Sequence, residues 1–166
     1  RERAGTYTFT PLEETGFNMF LQEGGINPNT GQPWGGADCF HCHSHAGMQL
    51  GDYLMHNNGL DAHFAADPGL AGVTGNPLDS GRFKTPTLRN IELTAPYMHD
   101  GRFQTLSEVI AHYNTGGQIS TTIDPFMEAS GGGLYLDELD ELALIAFLKT
   151  LTDTSFINNP AFSDPH

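Results

Sequence analysis

The chain is 166 residues long, about one ordinary domain, with 38% hydrophobic and 16% charged residues; it has the material for a core and does not read as disordered. Seven Lys and Arg against 20 Asp and Glu give a formal net charge of -13, which argues against nucleic acid or an anionic membrane as partner and points to a basic one. The longest unbroken apolar run, Leu142 to Leu148, is seven residues, far short of the roughly 20 of a membrane-spanning helix.

No signal-peptide pattern opens the sequence, so a mature chain or fragment is expected, with residues 1–166 as one domain. Thr10, Pro11 and Glu13 form a capping-box pattern that predicts a first helix over about 11–22, with Phe17, Phe20 and Leu21 on its apolar face. Gly24-Gly25 stops it, and the loop from Asn27 to Gly36 leads to the cysteines. The stretch from Asp61 to Arg82 is rich in Gly, Pro and Asp and predicts an extended wrap. Thr85-Pro86 repeats the helix-start signal for a short turn through Asn90. A second capping box at Thr105 and Glu108 predicts a helix over about 106–114 bearing Val109, Ile110 and Tyr113. Asp137 caps a closing helix over about 138–151, whose expected core face is Leu139, Leu142, Ile145, Ala146 and Leu148. Sustained period-two alternation is absent, so the expected fold class is all-α with long loops.

Chemistry concentrates at Cys39-Phe40-His41-Cys42-His43, a C-x-x-C-H motif holding the only two cysteines. Two thiols at this spacing can bond the two vinyl groups of one haem while the following histidine ligates iron, so the motif predicts one covalent haem c with Cys39 and Cys42 as anchors and His43 as proximal ligand. A redox dithiol lacks its usual βαβ setting here, and a zinc site would have to recruit His56 or His63. His41, His45, His56, His63, His99 and His166 need no function, although His56, at the Asn57-Asn58-Gly59 turn, could hydrogen-bond near the haem edge, and Trp34 is expected to serve packing.

The run Gly81-Arg82-Phe83-Lys84-Thr85-Pro86-Thr87-Leu88-Arg89-Asn90-Ile91-Glu92-Leu93-Thr94-Ala95-Pro96-Tyr97-Met98-His99-Asp100-Gly101-Arg102-Phe103, with the Thr105 capping box and His112-Tyr113-Asn114, resembles the bacterial di-haem cytochrome c peroxidase family and its MauG-like members. The likeness continues through Leu12-Glu13-Glu14-Thr15-Gly16, His56-Asn57-Asn58-Gly59-Leu60 and Ala146 to Thr152, and covers the carboxy-terminal haem domain of that family. It implies a cytochrome c-like fold and places the sixth iron ligand at Tyr113, where peroxidases carry Met and MauG-like members Tyr. Met98, the choice of generic cytochrome logic, and His112 are the alternatives. A phenolate oxygen lowers the haem potential, whereas a thioether raises it. The family also implies calcium held by the backbone carbonyls of Thr94 and Pro96. Arg89 and Lys84 are candidates for neutralising haem propionates.

The family pairs two haem domains, and this chain has one C-x-x-C-H. The expectation for the chain alone is therefore electron transfer with a small cytochrome, a copper protein or a second haem domain as redox partner. The alternative is part of a cytochrome c peroxidase-type enzyme, with peroxidase or MauG-like oxidase chemistry at this haem or with a second haem domain on another chain. Haem attachment of this kind is made outside the bacterial cytoplasmic membrane, so the expected location is periplasmic or exported.

Overall fold

Thr10 opens the first helix, α1 (Pro11–Phe20), by accepting a hydrogen bond from the Glu13 backbone N–H while the Glu13 carboxylate takes the Thr10 N–H. The computed structural model in which this is seen describes residues 7–44, 50–129 and 132–163. The chain is mostly helical with few strands and long loops. Its elements are α1, β1 (Met55–His56), α2 (Ala71–Thr74), β2 (Phe83–Lys84), α3 (Leu106–Asn114), α4 (Pro125–Ala129), α5 (Glu138–Thr150) and α6 (Thr154–Ile157), with single 3-10 turns between them. The helix α1 stops at Phe20, two residues short of the expected Gln22, because the Leu21 and Gln22 N–H groups turn back to Asn18 and Met19.

The core lies between α1 and α5, with α3 packed on α5. Gly16 makes the close approach possible, since a methyl group there would collide with the Ala143 carbonyl. Phe9, Phe17 and Phe20 close around Phe147 with ring centroids 5.2 to 6.1 Å apart. Asp137 caps α5 through its side chain, but the helix buries Ala143, Leu144, Phe147 and Leu148. Leu148 of the expected face is buried and Ile145 packs against the core, but Leu139 and Leu142 are 63% and 51% exposed, which corrects the first half of the expected face.

Three further expectations change. The 61–82 stretch folds back on itself rather than wrapping: the Leu70 N–H donates to the Arg82 carbonyl and the Gly81 N–H to that of Pro68, enclosing α2 and a 3-10 turn at Pro77–Asp79. Thr85-Pro86 starts no helix; the Thr85 N–H donates to the Leu54 carbonyl beside the antiparallel β1–β2 pair, and the chain runs on without helix to the turn at Arg89–Asn90. Trp34 is 39% exposed and lies at the surface rather than in the core.

The approach to the cysteines is fixed by the end of α1. Ala37 and Asp38 donate their N–H groups to the carbonyls of Met19 and Gln22, and Gly36 passes so close to Gln22 that a side chain would not fit. Asp38 adopts a left-handed conformation and launches the 3-10 turn Cys39–His41.

Candidate functional site

The turn carries Cys39 and Cys42 as free thiols at its two ends, and its second end is held by hydrogen bonds from the Cys42 and His43 N–H groups to the Cys39 carbonyl. Burial pushes both thiols up to about 12, with Asp38 adding at Cys39 and Asp124 and Asp52 at Cys42. They are therefore held as neutral S–H groups, the opposite of the activated thiolate that a redox dithiol needs. His43 donates from Nδ1 to the Leu50 carbonyl at 3.0 Å, which leaves Nε2 as a lone-pair donor. Burial depresses the His43 pKa, keeping the imidazole neutral as a metal ligand must be.

Opposite the thiols stands α3. Burial pushes the Tyr113 hydroxyl up to about 12, and it lies near enough to both Cys42 and Cys39 to be coupled to their ionisation. A phenol so desolvated becomes phenolate only if a cation is placed against it. The sequence left Tyr113, Met98 and His112 in competition, and the structure shows why they are hard to separate. Asn58, in the turn after β1, donates its side-chain amide to Tyr113 Oη at 3.3 Å and to Met98 Sδ at 3.4 Å. The two candidate atoms thus meet at one amide. His112 bonds the same residue from the other side, with Nε2 3.0 Å from the Asn58 carbonyl, and is committed there.

Asn58 is itself held by a rail of buried polar groups. Asn57, 1% exposed, donates to Ser120 Oγ and Thr122 Oγ1 and accepts from the Gly59 N–H. The Gly59 carbonyl takes the Gln118 N–H, and the Asn57 carbonyl takes that of Asp124. His56, for which the sequence offered a hydrogen bond near the haem edge, is bonded at both ring nitrogens, to Asp124 and to Asp52, and so has no nitrogen free for zinc. Asn58, Asp52 and Asp124 were not picked out from the sequence. The only signal was the Asn57-Asn58-Gly59 turn, since their partners lie up to 68 residues away.

The remaining candidates are more scattered. Lys84 lies 5.8 Å over the Tyr53 ring, and a cleft of about 310 Å³ lined by Gly51, Tyr53, Lys84, Thr85, Pro86 and Thr87 opens beside the His43 segment. A larger depression of about 420 Å³ at Asp137, Glu138, Leu139 and Leu142 contains none of the converging groups. Arg89 is exposed, and its charge acts on Asp153. Thr94 and Pro96 lie on an exposed loop after the turn Ile91–Leu93. Among the described residues the clusters able to offer three metal ligands are Glu23–Asp38–His41 and Asp61–His99–Asp100; in the second, both carboxylates are already bonded to Arg102. His45 and His166 lie outside the described residues. The donor set of two neutral thiols, one tautomer-fixed imidazole and a buried phenol or thioether opposite them fits a covalently held haem.

Comparison with known proteins agrees. The chain is 34% identical to the methylamine utilization protein MauG of Paracoccus denitrificans, over 94% of this chain and 46% of that protein. It is 37% identical to the cytochrome c551 peroxidase of Nitrosomonas europaea, over 70% of this chain and 31% of that one. Among solved structures, a MauG-like protein associated with microbial copper homeostasis superposes with a TM-score of 0.79 at 36% identity, over 95% of this chain and 52% of that one. A variant of the diheme peroxidase BthA from Burkholderia thailandensis gives 0.63 at 22% identity, over 91% and 44%, a likeness of fold alone. No family model matches. The chain spans about half the length, or less, of these relatives.

Proposed function

The chain belongs to the bacterial family of di-haem cytochrome c peroxidases and MauG proteins, in the part corresponding to the carboxy-terminal haem domain, and on that footing we propose that it is a c-type haem domain that carries electrons. Residues 1–166 form one cytochrome c-like, all-α domain in this reading, with one haem bonded to Cys39 and Cys42. His43 Nε2 and Tyr113 would ligate the iron, with Met98 the alternative to Tyr113. The observation that carries the proposal is the convergence of four groups from two separated segments: the two thiols and His43, with Nδ1 pinned to the Leu50 carbonyl, from the motif, and the buried Tyr113 hydroxyl from α3. The haem supplies reversible one-electron chemistry when bound. The protein supplies the anchors, the imidazole orientation and a dry pocket wall. Lys84 and Arg89 are proposed to face the propionates, and the Thr94 and Pro96 carbonyls a calcium ion, which removal by a chelator followed by metal analysis tests directly. A redox partner protein, a small cytochrome, a copper protein or a second haem domain, completes the circuit in the periplasm or another exported location.

The test is spectroscopic. Intact mass must exceed that of the polypeptide by one haem, and Tyr113→Phe must shift the ferric spectrum and raise the midpoint potential, while Met98→Leu leaves both near wild type. If Met98→Leu is the change that alters the spectrum, thioether ligation replaces the phenolate. The names of the relatives favour a second reading, peroxidase or MauG-like oxidase chemistry at this haem or with a second haem domain. A low-spin ferric spectrum indifferent to peroxide, cyanide and azide supports electron transfer; a high-spin spectrum that responds to them supports chemistry at this iron.

A further inference from the structure

Three segments around the haem motif meet at one imidazole. His56, on β1, has Nδ1 2.5 Å from Asp124 Oδ2 and Nε2 2.6 Å from Asp52 Oδ2. A ring with a carboxylate on each nitrogen is fully satisfied only when both nitrogens carry protons, that is, as imidazolium. Neither carboxylate is free to swing away. The Asp52 N–H is bonded to the Cys42 carbonyl, and its other oxygen Oδ1 accepts from the Leu54 N–H. Asp124 is held through its N–H to the Asn57 carbonyl and through Oδ1 to the Phe126 N–H at the start of α4. The three side chains are 16%, 15% and 14% exposed for His56, Asp52 and Asp124, so a charge here is poorly screened.

The same cluster is electrostatically wired to the motif. Asp52 and His56 act on His43 in opposite senses, and both aspartates act on Cys42. A charge at His56 is therefore felt where the iron is held.

We propose that His56 is the proton site coupled to electron uptake in this domain, binding a proton between Asp52 and Asp124 when an electron reaches the haem held by His43 and releasing it when the electron leaves. The inference rests on the haem reading above. The balance is one electron and one proton. A one-electron donor protein converts ferric to ferrous haem, and one proton from water adds to the lone pair of neutral His56; oxidation returns both. Reduction removes one positive charge from the centre and so tightens proton binding nearby, and by linkage the bound proton favours the reduced state to the same extent. Burial alone works against a charge on His56, but the hydrogen bonds it donates to Asp124 and Asp52 outweigh it and hold the group above its ordinary value of 6.5. Of the other titratable groups nearby, His43 of the motif interacts with His56 and disfavours its proton when charged; Lys84 pairs with Met55 on the other face of the β1–β2 pair, and His99 stacks on Phe83, the register partner of His56. The two aspartates decide the balance.

The experiment is a spectroelectrochemical titration of the haem-loaded protein from about pH 5 to about pH 9, on wild type, His56→Gln and Asp124→Asn. The wild-type midpoint should fall with rising pH by about a tenfold change in the reduction equilibrium, about 59 mV for one electron. His56→Gln should be flat over that fall, and Asp124→Asn should move the fall toward acid. A flat wild type, or a His56→Gln that keeps the wild-type slope because the haem's own propionates carry it, overturns the proposal while leaving the haem reading intact. If His56→Gln does not take up haem, Asp124→Asn decides, and an unmoved inflection counts against the proposal. A wild-type protein without haem absorbance overturns the haem reading and this proposal together.

Discussion

The α1–α5 interface and the clamp around Asn58 and His56 are built by different physics. The interface is apolar and close-packed, with Gly16 set against the Ala143 carbonyl and Phe147 ringed by Phe9, Phe17 and Phe20. The clamp is held by hydrogen bonds between side chains from β1 and the turn after it, the 118–124 segment, the Met98 loop and α3. Apolar packing is forgiving of chemistry but intolerant of volume, whereas a hydrogen-bonded clamp is forgiving of volume but intolerant of a lost partner. One region therefore sets stability and the other sets the chemistry, and substitutions should separate them.

The largest stability effect is expected at Phe147. Truncation in Phe147→Ala removes the ring that three phenylalanines pack on and should cost about 3–5 kcal/mol, read as a drop in the urea midpoint. The haem spectrum of the fraction that stays folded should be unchanged. A shifted spectrum with unshifted stability would reverse the division of labour between the two regions.

Gly16→Ala is the sharper version of the same test. The added methyl meets backbone, which cannot rotate away, so α1 and α5 must separate at an expected cost of about 1–3 kcal/mol. Stability within about 0.5 kcal/mol of wild type would mean that the interface is looser than its geometry indicates.

The same contrast explains what the sequence reveals. Helix starts are local, and the capping boxes at Thr10 and Glu13, at Thr105 and Glu108, and at Asp137 and Asp140 all form. The C-x-x-C-H motif is equally local, because five consecutive residues carry its whole meaning. The buried face of α5 is not local. The helix is apolar nearly all round, so Leu139 and Leu142 look as core-like as Ala143 and Phe147, and only the partner decides. Thr85-Pro86 shows the limit from the other side: a genuine helix-start pattern carries no helix where the chain pairs with Leu54, 31 positions earlier. Asn58 and the Asp52–His56–Asp124 cluster depend on contacts spanning up to 68 residues, and no periodicity records such pairings.

Asp38 sits on the seam between the two regions and gives the smallest and most pH-specific effect. It launches the cysteine turn in a left-handed conformation, which Asn tolerates as well as Asp. Its Oδ1 is buried and lies 3.1 Å from His41 Nε2 but outside hydrogen-bonding geometry, so that oxygen has no hydrogen bond. Burial is the main reason that its pKa is pushed up from 3.8 to about 6; His41 pulls it down, and Glu23 raises it further. A carboxyl raised on folding binds its proton more tightly in the native state. Its ionisation therefore costs nothing at acid pH, where native and unfolded forms are both protonated, and the cost develops as pH rises from about 3.8 to about 6. The full shift would be worth about 3 kcal/mol, but the side chain is partly solvated and His41 offsets some of the charge, so about 1 kcal/mol is expected. Asp38→Asn should thus stabilise the haem-loaded protein by that amount near pH 7 and by little near pH 4, measured as urea midpoints at the two values. A gain of equal size at both would assign the effect to the backbone rather than to a buried charge.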